Sequence, residues 1–505
     1  MTDSNRTDRE RDNKLKVPRF HGVSFGEPPF VPTGHFVKAG RFGRMFPHLR
    51  PLNVPDAALK TLADAMKETP EQASSGALSN PELPAGFTYL GQFVDHDITF
   101  DTTPMPERAV DPTQIHNFRT PALDLDSVYG DGPTAQPYLY QRLDNRKLLI
   151  GTASASADTA SRPGVPALPN DLPRGAEGFA LLGDPRNDEN LLVAQTHVAF
   201  LKFHNKIIER DPKISFEDAR RAMTWHYQWI VLHDFVTRLC GKEAVQAALE
   251  HRRFYRFEEE PFIPVEFAVA AYRLGHSLVR EAYDHNRIFH TESQAVPRLA
   301  PASFKLDEGA LLFEFSGASG GIGTRFPALP SNWVIDWRLF YDLGVPPPAG
   351  LRFNNARLLD PLLVPGLHQL PGGGGSLPER NLKRGVRLQL PSGQSVARAM
   401  RLDALTPKEV GDGPAGAVAR QLDLDEQSPL WFYILQEAKV KSGGKRLGPV
   451  GARIVAEVFV GLLEGDRTSF LAHNPRWKPD LGRTPGVFTM ADMLNFVGDL
   501  NPIGD

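Results

Sequence analysis

Four stretches with apolar residues at helical spacing, set among long connections rich in proline and glycine, constrain this chain most. They are NLLVAQTHVAFLKFHNKIIER (190–210), SFEDARRAMTWHYQWIVLHDFVTRLC (215–240), PVEFAVAAYRLGHSLVREAY (264–283) and PVGARIVAEVFVGLLEG (449–465). Apolar residues recurring every three or four positions turn one helix face toward a core. Ser215 followed by Glu217 and Asp218 marks a helix start. A fifth helix is predicted from Asp56 to Lys67. Alternating strand patterns are rare. Residues 28–55 and 70–86 read as loops, 151–171 and Gly372–Gly375 as flexible segments. The expectation is a mainly α, single large domain with long ordered loops and little β. Loops this long in a compact domain carry function or wrap a ligand.

Composition narrows the classes. Cys240 is the only cysteine, so an intrachain disulfide and a cysteine-based zinc site are both excluded. Packing, with or without a bound metal or cofactor, must hold the 505 residues together. A net charge of -3 gives no electrostatic reason to expect nucleic acid or an anionic membrane as partner. Residues 1–20 are polar and charged and read as a disordered arm, followed by one domain over 21–505. They lack the apolar core of a secretory signal, and no run approaches the roughly 18 apolar residues of a membrane span. The default expectation is therefore cytoplasmic, with signal-less export left open.

Four segments carry chemistry, each with a plainer reading beside it. In GQFVDHDITFD (91–101), Gln92 and His96 share a helix face while Asp95 and Asp97 are rotated away on either side. The plainer reading is a buried His held by Asp. RTPALDLDSVYG (119–130) offers Thr120, Asp124, Asp126 and the Ala122 carbonyl on alternate residues. Such oxygen donors suit Ca²⁺, and equally an ordinary polar turn. GDPRNDEN (183–190) ends where a long helix begins. Arg186 there can project into a pocket or lie on the surface, and Asp188 suits a helix-start charge. In YRLGHSLVR (272–280), Arg273 and His276 share a face. Gly275 costs up to about 1 kcal/mol in a helix interior. It makes sense if something flat approaches the helix, or if two helices pack closely there.

Taken in order, these segments resemble the animal-type haem peroxidase superfamily of myeloperoxidases and cyclooxygenases, bacterial members included. GQFVDHD resembles the distal histidine helix, RTPALDLDSVYG the calcium loop, GDPRNDEN the distal arginine segment and YRLGHSLVR the proximal histidine helix. PERNLKRG (378–385) resembles the proximal segment carrying an asparagine and an arginine. The resemblance covers about 85–400, the catalytic core, with C-terminal helices over 400–505. It implies haem b and Ca²⁺ as cofactors, with hydrogen peroxide and a small electron donor as partners. It implies His96 as distal acid–base, Gln92 as its neighbour, Arg186 as distal cation and His276 as iron ligand. Asn381 would orient His276, and Arg273 and Arg384 would pair with haem propionates. Asp97, Thr120, Ala122, Asp124 and Asp126 would hold calcium. Asp95 and Glu189 match carboxylates that form ester links to haem. Asn190 stands where myeloperoxidase has methionine, so a sulfonium link is not expected.

Two rivals share the scaffold. A fatty-acid dioxygenase of the cyclooxygenase type needs a tyrosine near the haem, and GASGGIGTRFPALPSNW (317–333) contains none. A non-enzymatic calcium-binding protein would be favoured by loss of an expected residue, and all are present.

Overall fold

The computed structural model describes residues 19–20, 23–24, 40–100, 115–157, 164–258, 260–290, 326–370 and 374–505. Helices dominate. The predicted spans become Asp56–Ala65, Leu191–Arg210 and Pro449–Gly465. The 215–240 span becomes a helix from Phe216 to Ile230, a π-type turn over Val231–Val236 and a last α turn over Thr237–Cys240. Its start is made as the sequence suggests: the Ser215 hydroxyl accepts the Asp218 N–H at 3.0 Å.

Strands are short and peripheral. Gly40–Gly43 pairs on both edges, antiparallel with His116–Asn117 and parallel with Ile263–Pro264. Ser79–Pro84 pairs antiparallel with Asn355–Arg357, and Gly151–Ala153 with Leu168–Asp171. Two expectations are corrected here. The ends of 151–171 form this paired ribbon, and the 70–86 loop holds a short helix, Pro70–Ser74, before its strand. Most of the predicted arm at 1–20, and Gly372 and Gly373, lie outside the described residues.

A third correction concerns 264–283, which is not one α-helix. A π-type turn over Glu266–Ala270 gives way to a tight 3₁₀ turn over Ala271–Leu274 and a single α turn, Gly275–Leu278. Val279 is already extended. The buried Glu266 carboxylate accepts the N–H groups of Met45 and Phe46, both at 3.0 Å, tying this run to the segment after Gly40–Gly43.

The site rests on two helices. Gly86–Ile98 is buried almost all round; only Gly91 and Gln92 keep partial exposure. Leu191–Arg210 packs across it, with Phe93 and Phe200 stacked at 4.8 Å. No helix among the described residues is long and apolar enough to cross a membrane.

Candidate haem cavity and acidic cluster

Gly91 and Gln92 stay partly exposed because they open onto a cavity of about 1160 Å³, its mouth included. Asp95, Glu189 and Asn190 share that stretch of wall. The side chains of Glu189, Gln92 and Asn190 are hydrogen-bonded in series. Gln92 Nε2 donates to Glu189 Oε2 at 3.2 Å, and Asn190 Nδ2 donates to Gln92 Oε1 at 3.0 Å. Asn190 Oδ1 also caps the Leu191–Arg210 helix by accepting the Val193 N–H. Asp95 accepts the Thr99 hydroxyl at 3.1 Å. Burial pushes the Glu189 carboxyl up to about 8, against the pull of Arg186.

Another part of the wall comes from the broken 264–283 run: Arg273, Gly275 and His276. A Cβ at Gly275 would meet nothing within 4 Å, so the missing side chain leaves space that the protein itself does not fill. Behind His276, the side-chain amide of Asn381 meets Nδ1 at 2.7 Å. Asn381 is buried on the Leu377–Arg387 helix, started by Ser376. Burial, then Arg273 and Arg380, bring the His276 imidazole down to about 3. As placed, Asn381 offers its Nδ2 donor to Nδ1, which leaves the ring proton on Nε2; ligation of a metal through Nε2 needs the amide turned so that Oδ1 accepts from Nδ1–H. Arg273 Nε donates to the Ala268 carbonyl at 3.0 Å. Arg384, one turn beyond Asn381, is half-buried and does not line the cavity.

His96 and Arg186 lie behind the cavity wall. His96 is fully buried, with Nδ1 2.7 Å from Asn187 Oδ1; burial first and Arg186 second hold its ring down to about 3. Arg186 is 4% exposed, neither projecting into the cavity nor lying on the surface. It pairs with Asp184 at 2.8 Å, donates to the carbonyls of His96 (3.0 Å) and Thr99, and stacks over Phe100 at 4.7 Å. Burial alone would raise the Asp184 carboxyl, yet Arg186 and Arg119 hold it well below the usual range. Asp188, read as a helix-start charge, is instead gripped by Arg174 through two contacts of 2.8 Å.

Arg119 links this region to the acidic loop. It contacts Asp184 at 2.6 Å and Asp126 at 2.9 Å. One oxygen each from Asp97, Asp124 and Asp126 lie within 4.8 Å of one another. Asp97 accepts from the Leu125 N–H, the Ser127 hydroxyl and the Tyr227 hydroxyl. Thr120 donates to Asp124 at 2.8 Å, and Ala122 lies between them in the loop. Leu125 adopts a left-handed φ of 58°, which costs a non-glycine residue about 1–2 kcal/mol. Burial raises the Asp97 carboxyl and pushes Asp124 up to about 7. Asp126 Oδ2 is buried with no hydrogen-bond partner. Two buried carboxylates and a half-buried third beside one guanidinium, with an orphaned oxygen, fit a hard cation with oxygen ligands.

Sequence reasoning missed Arg119, Asp184, Asn187 and Ser127. Arg119 and Asp184 stood inside the quoted motifs, but their pairing spans 65 positions and needs the fold. Of the tyrosine-free stretch 317–333, residues 317–325 lie outside the described residues; Tyr89, Tyr272 and Tyr283 line the cavity.

A family model described as animal haem peroxidase matches residues 104–309. Thyroid peroxidase of Canis lupus familiaris is 26% identical over 394 residues, 71% of this chain and 38% of that protein. Human eosinophil peroxidase is 23% identical over 313 residues, 57% of this chain and 39% of that one. The chain thus spans about two fifths of the length of these curated relatives. Among solved structures, peroxidase A from Dictyostelium discoideum aligns over 97% of this chain and 98% of its own, with a TM-score of 0.60 and 14% identity. A fatty acid alpha-dioxygenase of Arabidopsis thaliana aligns over 91% of this chain and 76% of its own, with a TM-score of 0.55 and 14% identity. These two are likenesses of fold.

Proposed function

We propose that the chain, whose residues 104–309 match a family model described as animal haem peroxidase, binds haem b in the cavity and reduces hydrogen peroxide while oxidising a small donor, a halide, thiocyanate or phenol. One observation carries the reading. His276, neutral and held through Nδ1 by Asn381 at 2.7 Å, sits beside a glycine that leaves the cavity wall bare.

Bound haem supplies a redox-active iron that accepts electrons from the donor one at a time. His276 would ligate it through Nε2, and Asn381, its amide turned so that Oδ1 accepts from Nδ1–H, would fix the ring's orientation. Arg273, on the wall, and Arg384 would take the propionates. His96 would take a proton from one peroxide oxygen at Nε2 and return it to the departing oxygen. Gln92 would border the same space. Arg186 would stabilise negative charge on the departing oxygen, which requires its guanidinium to turn from Asp184 toward the cavity. Asp97, Thr120, Ala122, Asp124 and Asp126 would hold Ca²⁺ and so anchor the His96 helix at its C-terminal end. Asp95 and Glu189, both on the wall, would be the carboxylates that form ester links to haem.

Haem reconstitution followed by spectra with and without hydrogen peroxide tests the reading, with bromide, iodide, thiocyanate and a phenol as donors. A Soret band that changes on peroxide addition and recovers with a donor is expected. A purified protein with no Soret band after supplementation would leave a non-enzymatic cation-binding role. Haem that leaves peroxide-treated enzyme freely in acid acetone would remove the ester links. The cavity tyrosines favour a second reading, a haem-dependent fatty-acid dioxygenase. Oxygen uptake with unsaturated fatty acids, without added donor, would select it.

A further inference from the structure

We propose that Asn187 is a positioning residue that fixes the ring tautomer of His96, its other end resting against His197. The inference rests on the reading of His96 as the acid–base group. Asn187 is fully buried in the Pro185–Asp188 turn, between Arg186 and Glu189. Its side chain spans two imidazoles. Oδ1 lies 2.7 Å from His96 Nδ1, and Nδ2 lies 2.9 Å from His197 Nδ1.

An amide has one accepting end and one donating end, so the two rings must present opposite Nδ1 states. With Oδ1 toward His96, that ring carries its proton on Nδ1 and its lone pair on Nε2. A base that takes a proton through Nε2 needs this tautomer. His197, on the Leu191–Arg210 helix, then accepts at Nδ1 and carries its proton on Nε2. That Nε2 is buried, has no hydrogen-bond partner among the described residues, and belongs to a ring packed against Phe93 at 5.8 Å and 77°. The chain His96–Asn187–His197 therefore ends in apolar packing. It offers a proton no onward path, so it acts as a brace and not as a relay. Turning the amide over would reverse both tautomers and put a proton where His96 needs its lone pair.

Nitrogen-15 NMR of histidine-labelled protein tests this directly. The protein is loaded with haem and held reduced with carbon monoxide, and the His96 signals are identified by their loss in His96→Gln. The expected spectrum shows a protonated Nδ1 and an unprotonated Nε2 at His96. In Asn187→Leu the tautomer should shift or mix, and the second-order rate with hydrogen peroxide should fall by about tenfold or more with Soret intensity retained. Asn187→Asp keeps an acceptor toward His96 and should restore both. A wild-type His96 protonated on Nε2 overturns the proposal, as does an Asn187→Leu protein with unchanged tautomer and rate. If Asn187→Leu fails to fold, the wild-type spectrum still decides. If the wild type binds no haem, the peroxidase reading fails, while the same spectrum of the haem-free protein still decides the brace.

Discussion

At residue scale, the site's chemistry depends on burial as much as on residue type. Glu189 shows the sign clearly. Its carboxyl is pushed up to about 8, so between roughly pH 4.5 and pH 8 the folded chain keeps a proton that the unfolded chain has lost. This group's contribution therefore turns against folding as pH rises through that window. In haem-free protein, Glu189→Gln should melt progressively higher than wild type as pH rises from 5 to 8, and the two should converge near pH 4. A constant offset across that range would show that the carboxyl does not titrate there. His276→Ala should abolish tight haem binding in a haem titration followed at the Soret band, and a normal spectrum would refute the ligand assignment. Arg186→Ala should keep its haem and react slowly with peroxide in stopped flow. An unchanged rate would remove Arg186 from the mechanism, a pointed test because the guanidinium here faces Asp184.

At the scale of elements, turns decide which groups meet. Gly183 lets the GDPR turn lie against the acidic loop: a Cβ there would fall 2.4 Å from the Asp126 carbonyl oxygen. Gly183→Ala should therefore lower stability by about 1–3 kcal/mol in denaturant unfolding and lower calcium affinity by calorimetry. Much at this scale was legible in sequence. The Leu191–Arg210 helix and the Ser215 start follow from apolar spacing and a capping hydroxyl. The break in 264–283 did not follow. Its first part, VEFAVAAY, is buried on every side, so apolar spacing alone cannot distinguish a π-type turn from an α or a 3₁₀ turn. Leu430–Ser442 escaped for a related reason: WFYIL leaves no polar face to set a period. The strained Leu125 had no signal, since leucine is not a residue expected at positive φ.

At the scale of the molecule, motif order carried further than any motif. His96, Arg186 and His276 each had a plainer reading, and the cavity brings His276 together with Gln92, Asp95 and Glu189 from distant parts of the chain. The Asn187 bridge could not be read, because it depends on a turn folding back onto two helices. The calcium proposed for the acidic cluster would make stability a matter of cation supply. Chelation should lower the melting temperature by several degrees and added Ca²⁺ should restore it, whereas Asp97→Asn should blunt that response in a thermal melt. The strand Gly40–Gly43 bears on how such a molecule is made. Its antiparallel edge can close once residues 116–117 leave the ribosome, but its parallel edge stays open until 263–264 follow. His96 and Arg186 are by then already synthesised, while His276 and Asn381 are still to come. The wall residues Gln92, Asp95 and Glu189 are likewise synthesised well before Arg273 and His276, so the two sides of the cavity come from well-separated stretches of the growing chain.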